Sequence, residues 1–175
     1  MRAPASARSA RARNIRSMAI PPSPGFDKAS LISIIAPSMA ASVRVRAPAK
    51  VNLHLRVHGR GPDGYHGILS LFQAVTLSDS IVVRSLKKPD AVEIDGIFDC
   101  PPERTTLYKA AVAFRGATGI RDGLSISVGK EIPAGAGLGG GSSDAAALLR
   151  ALDAMFQTRL GLAELEALGS QVGSD

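Results

Sequence analysis

The stretch IPAGAGLGGGSSDAAALLRALDAMF, Ile132–Phe156, decides how this chain folds. Gly135, Gly137, Gly139, Gly140 and Gly141 open it, Ser142 and Ser143 follow, and Leu148, Leu149, Leu152, Met155 and Phe156 then recur at helical spacing. Closely spaced glycines give a backbone free of Cβ atoms, which a ligand can approach. The serines stand where a helix N-cap is expected, with the helix over about 143–156. A loop that runs onto a helix start offers unbonded N–H groups and the positive end of the helix dipole, so polyphosphate is the natural guest. The loop has no lysine and is not the Walker pattern. Asp144 reads as a stabiliser of the helix N-terminus rather than a ligand, since a carboxylate facing inward would repel phosphate.

Outward from the loop, LSISV (124–128) alternates as a strand. TTLYKAAVAFRGATG (105–119) places Leu107, Ala110, Ala111 and Phe114 on one helical face, with Thr105 or Thr106 as cap and Gly119 as stop. ILSLFQAVTLSDSIVVRSL (68–86) reads as strand, turn, strand. In VRVRAPAKVNLHLRV, Val51, Leu53, Leu55 and Val57 face one way and Lys50, Asn52, His54 and Arg56 the other. GRGPDGYHG (59–67) is a turn cluster, and a short helix is expected over about 162–168. Strands first and a βαβ unit after them make the class α+β.

Composition narrows the function. The net charge is +6, but residues 1–46 hold eight Lys/Arg against one acid and residues 47–175 hold thirteen against fourteen. The basic character therefore belongs to the first segment, not to the patterned part, which argues against a nucleic-acid-binding domain. Residues 1–42, rich in Ala, Ser, Arg and Pro, read as a disordered basic tail or a mis-assigned start with true initiation at Met39; residues 43–175 form the domain. The tail also has the Arg/Ser-rich, acid-poor composition of an organelle transit peptide. The location expected is cytoplasmic, or a plastid if residues 1–42 are such a peptide. One cysteine, Cys100, permits no internal disulfide and reads as structural. No metal-ligand spacing joins the three histidines, and no apolar run reaches the ~18 residues of a membrane span.

PAGAGLGGGSSDAAA resembles the nucleotide loop of the GHMP kinases, and APAKVNLHLRVHGRGPDGYH and the terminal GSD agree with that family in order, over about residues 43–175. The resemblance implies a two-domain α/β sandwich with a left-handed βαβ crossover around the glycine loop, of which the second domain is missing here. It implies ATP and Mg²⁺, with Pro133, Ala134, Gly135, Ala136, Gly137, Leu138, Gly139, Gly140, Gly141, Ser142 and Ser143 around the phosphates and Ser142 or Ser143 on the metal. Lys50 is implied at the reacting centre and Asp175 as catalytic base. Tyr65 and His66 belong to a cytidine pocket, and Asn52, on the strand face of Lys50, touches substrate. The long form GLGGGSS points to the members that phosphorylate the 2-hydroxyl of a cytidine-diphosphate sugar alcohol in isoprenoid synthesis, a small-molecule substrate. No nucleic acid or membrane partner is implied, and the oligomeric state stays open. The residue types suit these roles. Phosphoryl transfer needs positioning, charge neutralisation and an acceptor for the hydroxyl proton. Tyr65 offers a stacking face worth roughly 1–3 kcal/mol, and His66 a donor or acceptor to a base edge. Two alternatives remain: the same fold acting on another small alcohol, and a non-catalytic fragment whose basic tail binds nucleic acid. Because Asp175 is the last residue, the reading is of a fragment inactive on its own.

Overall fold

The computed structural model describes residues 32–35, 42–60 and 66–173. Five strands, β1 (Ile32–Ile35), β2 (Ser42–Arg60), β3 (His66–Leu86), β4 (Val92–Asp95) and β5 (Gly123–Gly129), form a sheet in the order β1-β2-β3-β5-β4. Three α-helices, α1 (Thr106–Thr118), α2 (Gly140–Phe156) and α3 (Leu162–Val172), and a short 3-10 helix at Pro102–Arg104 complete the described elements. Contacts divide the described residues into two compact units, one holding residues 52–60 and 66–72 and the other residues 32–35, 42–51 and 73–173.

In the larger unit, burial follows the period of two. Val43, Val45, Ala47 and Ala49 on β2, Ile81 and Val83 on β3, and Leu124 and Ile126 on β5 are buried, and Arg44, Arg46 and Arg84 between them are exposed. One sheet face is thus covered, and the cover is helical. Leu107, Ala110, Ala111 and Phe114 of α1 and Leu148, Leu149, Ala151 and Leu152 of α2 join the same core, with Leu168 and Val172 of α3. The Phe114 and Phe156 rings meet with centroids 6.3 Å apart. β3 and β5 pair antiparallel from Ser80↔Gly129 to Leu86↔Gly123, whereas β4 and β5 pair parallel from Val92↔Leu124 to Asp95↔Ser127. A parallel pair needs a crossover, and α1 supplies it.

The helix ends show their causes. Thr105 caps α1, its hydroxyl oxygen accepting the Tyr108 N–H at 3.1 Å, and Gly119 closes it in the left-handed region, its N–H donating to the Arg115 carbonyl. Glu164 accepts the Gly161 N–H at 2.7 Å where α3 begins. Gln157 ends α2, and the Asp153 carboxylate accepts the Thr158 hydroxyl and the Leu160 N–H just beyond it.

Several expectations change. Residues 66–86 are one uninterrupted strand rather than strand, turn, strand. β4 was not anticipated, and α3 runs four residues past Leu168 to Val172. Ile32–Ile35 pairs antiparallel with Ser42–Val45, while residues 1–31 and 36–41 of the segment read as a disordered tail lie outside the described residues. The βαβ unit is β4-α1-β5, so the crossover precedes the glycine loop rather than surrounding it.

The smaller unit is an antiparallel arm made of the second part of β2 and the first part of β3. The Ser70 hydroxyl donates to the His54 carbonyl at 3.3 Å, and His66 Nδ1 lies 3.0 Å from the His58 carbonyl. That carbonyl can only accept, which assigns the proton to Nδ1. Leu53, Leu55 and Val57, the continuation of the buried β2 face, are exposed by 58%, 53% and 58%. The alternation persists along β2, but its burial stops at Ala49.

Candidate nucleotide site

The glycine loop is built by backbone conformation. Gly135, Gly137 and Gly139 have φ of 70°, 73° and 70°, the left-handed region that side chains resist. A Cβ on Gly135 or Gly137 would meet nothing within 4 Å, whereas on Gly139 it would come to 3.1 Å from Lys50 Cγ. The loop is therefore open on one side and seated against Lys50 on the other.

Gly139 itself is the N-cap of α2, and the helix begins at Gly140. Ser142 and Ser143 consequently lie in the first turn rather than at the cap, and no side-chain bond caps this helix. Glycine wins the cap position because only it takes the left-handed φ required there at low cost. The first N–H groups of a helix have no intrahelical acceptor, and here they follow directly on the loop. Two long-range bonds fix its position. The Lys50 N–H donates to the Leu138 carbonyl at 2.9 Å, and the Ser143 hydroxyl donates to the Pro48 carbonyl at 2.7 Å. The strand carrying Lys50 and the loop are thus brought together.

Beside the loop lies a cleft of about 340 Å³. Ile97, Phe98, Asp99 and Cys100 line one side with Arg104, Thr105, Thr106 and Leu107. Lys130, Ile132–Gly135, Gly140, Gly141 and Asp144 line the other. The Thr106 hydroxyl donates to the Gly141 carbonyl at 2.7 Å and ties the start of α1 to that of α2. Cys100, read as structural, is an exposed free thiol on the cleft wall.

Next to the loop stands a charge cluster that sequence reasoning missed. Asp79 on β3 is fully buried; its Oδ1 accepts the N–H groups of Glu131 (2.6 Å) and Ile132 (2.8 Å), and its Oδ2 accepts from Lys130 Nζ (2.5 Å). The same ammonium donates to Asp144 Oδ2 at 2.8 Å. Burial alone would raise the Asp79 carboxyl, but the Ile132 N–H, Lys130 and the Glu131 N–H outweigh it and hold the group below its ordinary value. Burial pushes Asp144 up to about 6, because Lys130 offsets only part of the desolvation. Burial would lower Lys130, yet bonds to Asp144 and Asp79 hold it above its ordinary value. Asp144 Oδ1 is buried with no hydrogen-bond partner among the described residues. Asp144 therefore lies beyond the first turn of α2 in a buried ion pair, rather than acting as the expected stabiliser of the helix N-terminus. A contact between positions 79 and 130 leaves no local signal in a sequence; a lysine and an aspartate bracketing a glycine loop were the only trace.

The remaining expected residues are Asn52, Tyr65, His66 and Asp175. Asn52 and His66 lie in the arm unit and are exposed. Tyr65 and Asp175 are outside the described residues, so their expected roles have no geometry. No group of three or more His, Cys, Asp or Glu among the described residues could hold a metal ion. No described helix is long and apolar enough to cross a membrane.

Residues 105–175 match the family model of the GHMP kinases N terminal domain. Over those residues the chain is similar to the GHMP kinases. Its strongest likenesses include the 4-diphosphocytidyl-2-C-methyl-D-erythritol kinase of Treponema pallidum, 46% identical over 134 residues, which are 77% of this chain and 46% of that protein. The protein of the same name from Bacillus pumilus is 43% identical over 131 residues, 74% of this chain and 45% of the other. A crystal structure of 4-(cytidine 5′-diphospho)-2C-methyl-D-erythritol kinase superposes with a TM-score of 0.66 at 39% identity, over 75% of this chain and 46% of that one. A homoserine kinase from Cytophaga hutchinsonii, at 20% identity and a TM-score of 0.59, shares the fold. The chain spans a little under half the length of the curated relatives it matches.

Proposed function

We propose that this GHMP domain is the nucleotide-binding part of a kinase that moves the γ-phosphoryl group of ATP to the 2-hydroxyl of 4-diphosphocytidyl-2-C-methyl-D-erythritol. The observation that carries the reading is the glycine loop. Three left-handed glycines, two of them open to a ligand, lead onto the first turn of α2 beside a cleft of nucleoside size. The names of the relatives at 43–46% identity supply the alcohol.

In this reading the N–H groups of the loop and of Gly140–Ser142 take the phosphates, and the cleft takes the nucleoside. Gly135 and Gly137 leave the space that phosphate oxygens need. The hydroxyls of Ser142 and Ser143 are the oxygen donors nearest the helix start that suit Mg²⁺, a cation usually held by few protein ligands and by substrate phosphates. When bound, the ion neutralises charge that builds on the transferring group. Lys50, packed on Gly139, brings a cation to the edge of the loop. Asp175 is proposed to receive the proton of the attacking hydroxyl, and Asn52, Tyr65 and His66 to contact the cytidyl substrate. We keep residues 43–175 as the domain proper, with β1 as an upstream addition.

The test is a kinase assay on the full-length protein. ATP consumption should depend on the cytidyl alcohol and not on homoserine or mevalonate. Asp175→Asn should cost about 10²–10⁴-fold in turnover with both substrates still bound. Equal turnover with homoserine would overturn the substrate, and an unchanged Asp175→Asn rate would overturn the base.

A further inference from the structure

We propose that Lys130 is a positioning residue for the glycine loop, bridging Asp79 on β3 and Asp144 on α2 so that the two ends of the loop are held at the spacing polyphosphate binding requires; the inference rests on the nucleotide reading above. The chain enters the loop through Lys130–Ile132, and Asp79 takes hold of all three residues, through two backbone N–H groups and the ammonium. The chain leaves the loop along α2, where Asp144 takes hold of the same ammonium. One side chain therefore closes the span from 130 to 144.

The composition of the cluster argues for geometry over stability. Asp79 is wholly buried, Asp144 is 2% exposed, and the Lys130 side chain keeps 21%. Two carboxylates share one ammonium, and one buried oxygen, Asp144 Oδ1, has no partner among the described residues. Desolvated ion pairs often contribute less to stability than apolar side chains of similar volume, and a half-satisfied one less still. Directional bonds do what apolar packing cannot: they fix the distance and angle between two elements. A flexible glycine loop needs such a frame, because any freedom it keeps must be lost when a ligand binds.

Hydrogen exchange on the ligand-free chain, with calorimetry using Mg·ADP, tests this in Lys130→Met and Lys130→Arg. Lys130→Met should speed exchange in residues 131–143 by roughly 10-fold or more and leave residues 80–86 and 124–128 as protected as in the parent. Its ADP affinity should fall by about 10-fold or more, and Lys130→Arg, which keeps charge and donors, should recover most of the loss. Parent-like exchange in residues 131–143 overturns the proposal. Exchange accelerated equally in β3 and β5 also overturns it, since that is a structural role. Should Lys130→Met not fold, Lys130→Gln is read in the same way; if neither folds, the cluster serves folding and the positioning role is lost. A parent that binds no ADP refutes the nucleotide reading alone, and loop exchange still decides the role of Lys130.

Discussion

Gly139 shows how one residue can be fixed from two directions. Its φ of 70° excludes side chains by local sterics, and Lys50 occupies the space a Cβ would take. Gly139→Val should therefore lower Mg·ADP affinity by about 10-fold or more, as a β-branched residue in the left-handed region costs roughly 1–3 kcal/mol before any contact is counted. Gly135→Ala shares the backbone strain but meets nothing within 4 Å, so calorimetry should rank it well below Gly139→Val. Asp144 makes a pH prediction. Its folded pKa of about 6 lies above the ordinary 3.8, so its contribution to stability is complete below about 3.8 and is lost as pH rises through about 6. Asp79, held low, acts in the opposite sense, losing its contribution as pH falls through its folded pKa below 3.8, outside that window. Denaturant unfolding of Asp144→Asn should accordingly show a smaller fall in stability between about pH 4 and pH 7 than the parent. The glycines of the site were legible because their requirement is local. The partnership of Lys130 was not, because it depends on an aspartate 51 residues away.

At the scale of elements, helices read better than strands. The four residues expected on the buried face of α1 are the four it buries, and its cap and stop stand at Thr105 and Gly119. A 13-residue helix repeats its pattern often enough to be seen; the four residues of β4 do not. The long β3 was expected as strand, turn, strand, and it contains Ser78, Asp79 and Ser80, polar residues typical of turns. The structure instead buries Ser78 and Asp79, with Arg46 Nε donating to Ser78 at 2.9 Å and Lys130 engaging Asp79. Tertiary partners overrode the local signal. The serines beside the loop were displaced from the cap by a glycine for the same kind of reason, since the chain path and not the propensity chose the cap. Two substitutions test the packing of these elements by chemical denaturation. Leu149→Ala, at a side chain 1% exposed on α2, should cost about 2–5 kcal/mol. Thr105→Ala should cost about 0.5–2 kcal/mol through the lost cap.

For the molecule as a whole, the arm of residues 52–60 and 66–72 presents apolar side chains that the described residues do not cover, among them Leu53, Leu55, Val57 and Ile68. Exposed apolar strands favour self-association. Leu55→Lys should reduce concentration-dependent light scattering and shift the melting temperature little, because the residue is 53% exposed. The larger unit carries a different consequence, one of order in time. Its glycine loop is tied to β2 by a hydrogen bond from Ser143 to Pro48 that spans 95 positions. Contacts between such distant residues form only after a large entropy of chain closure has been met, and topologies rich in them fold slowly. The loop is thus expected to form late in folding, since its bonds to Pro48 and Lys50 need β2 in place first. Recovery of ADP binding during refolding should lag the recovery of helical circular dichroism, and ligand binding would then report the completed molecule rather than its secondary structure.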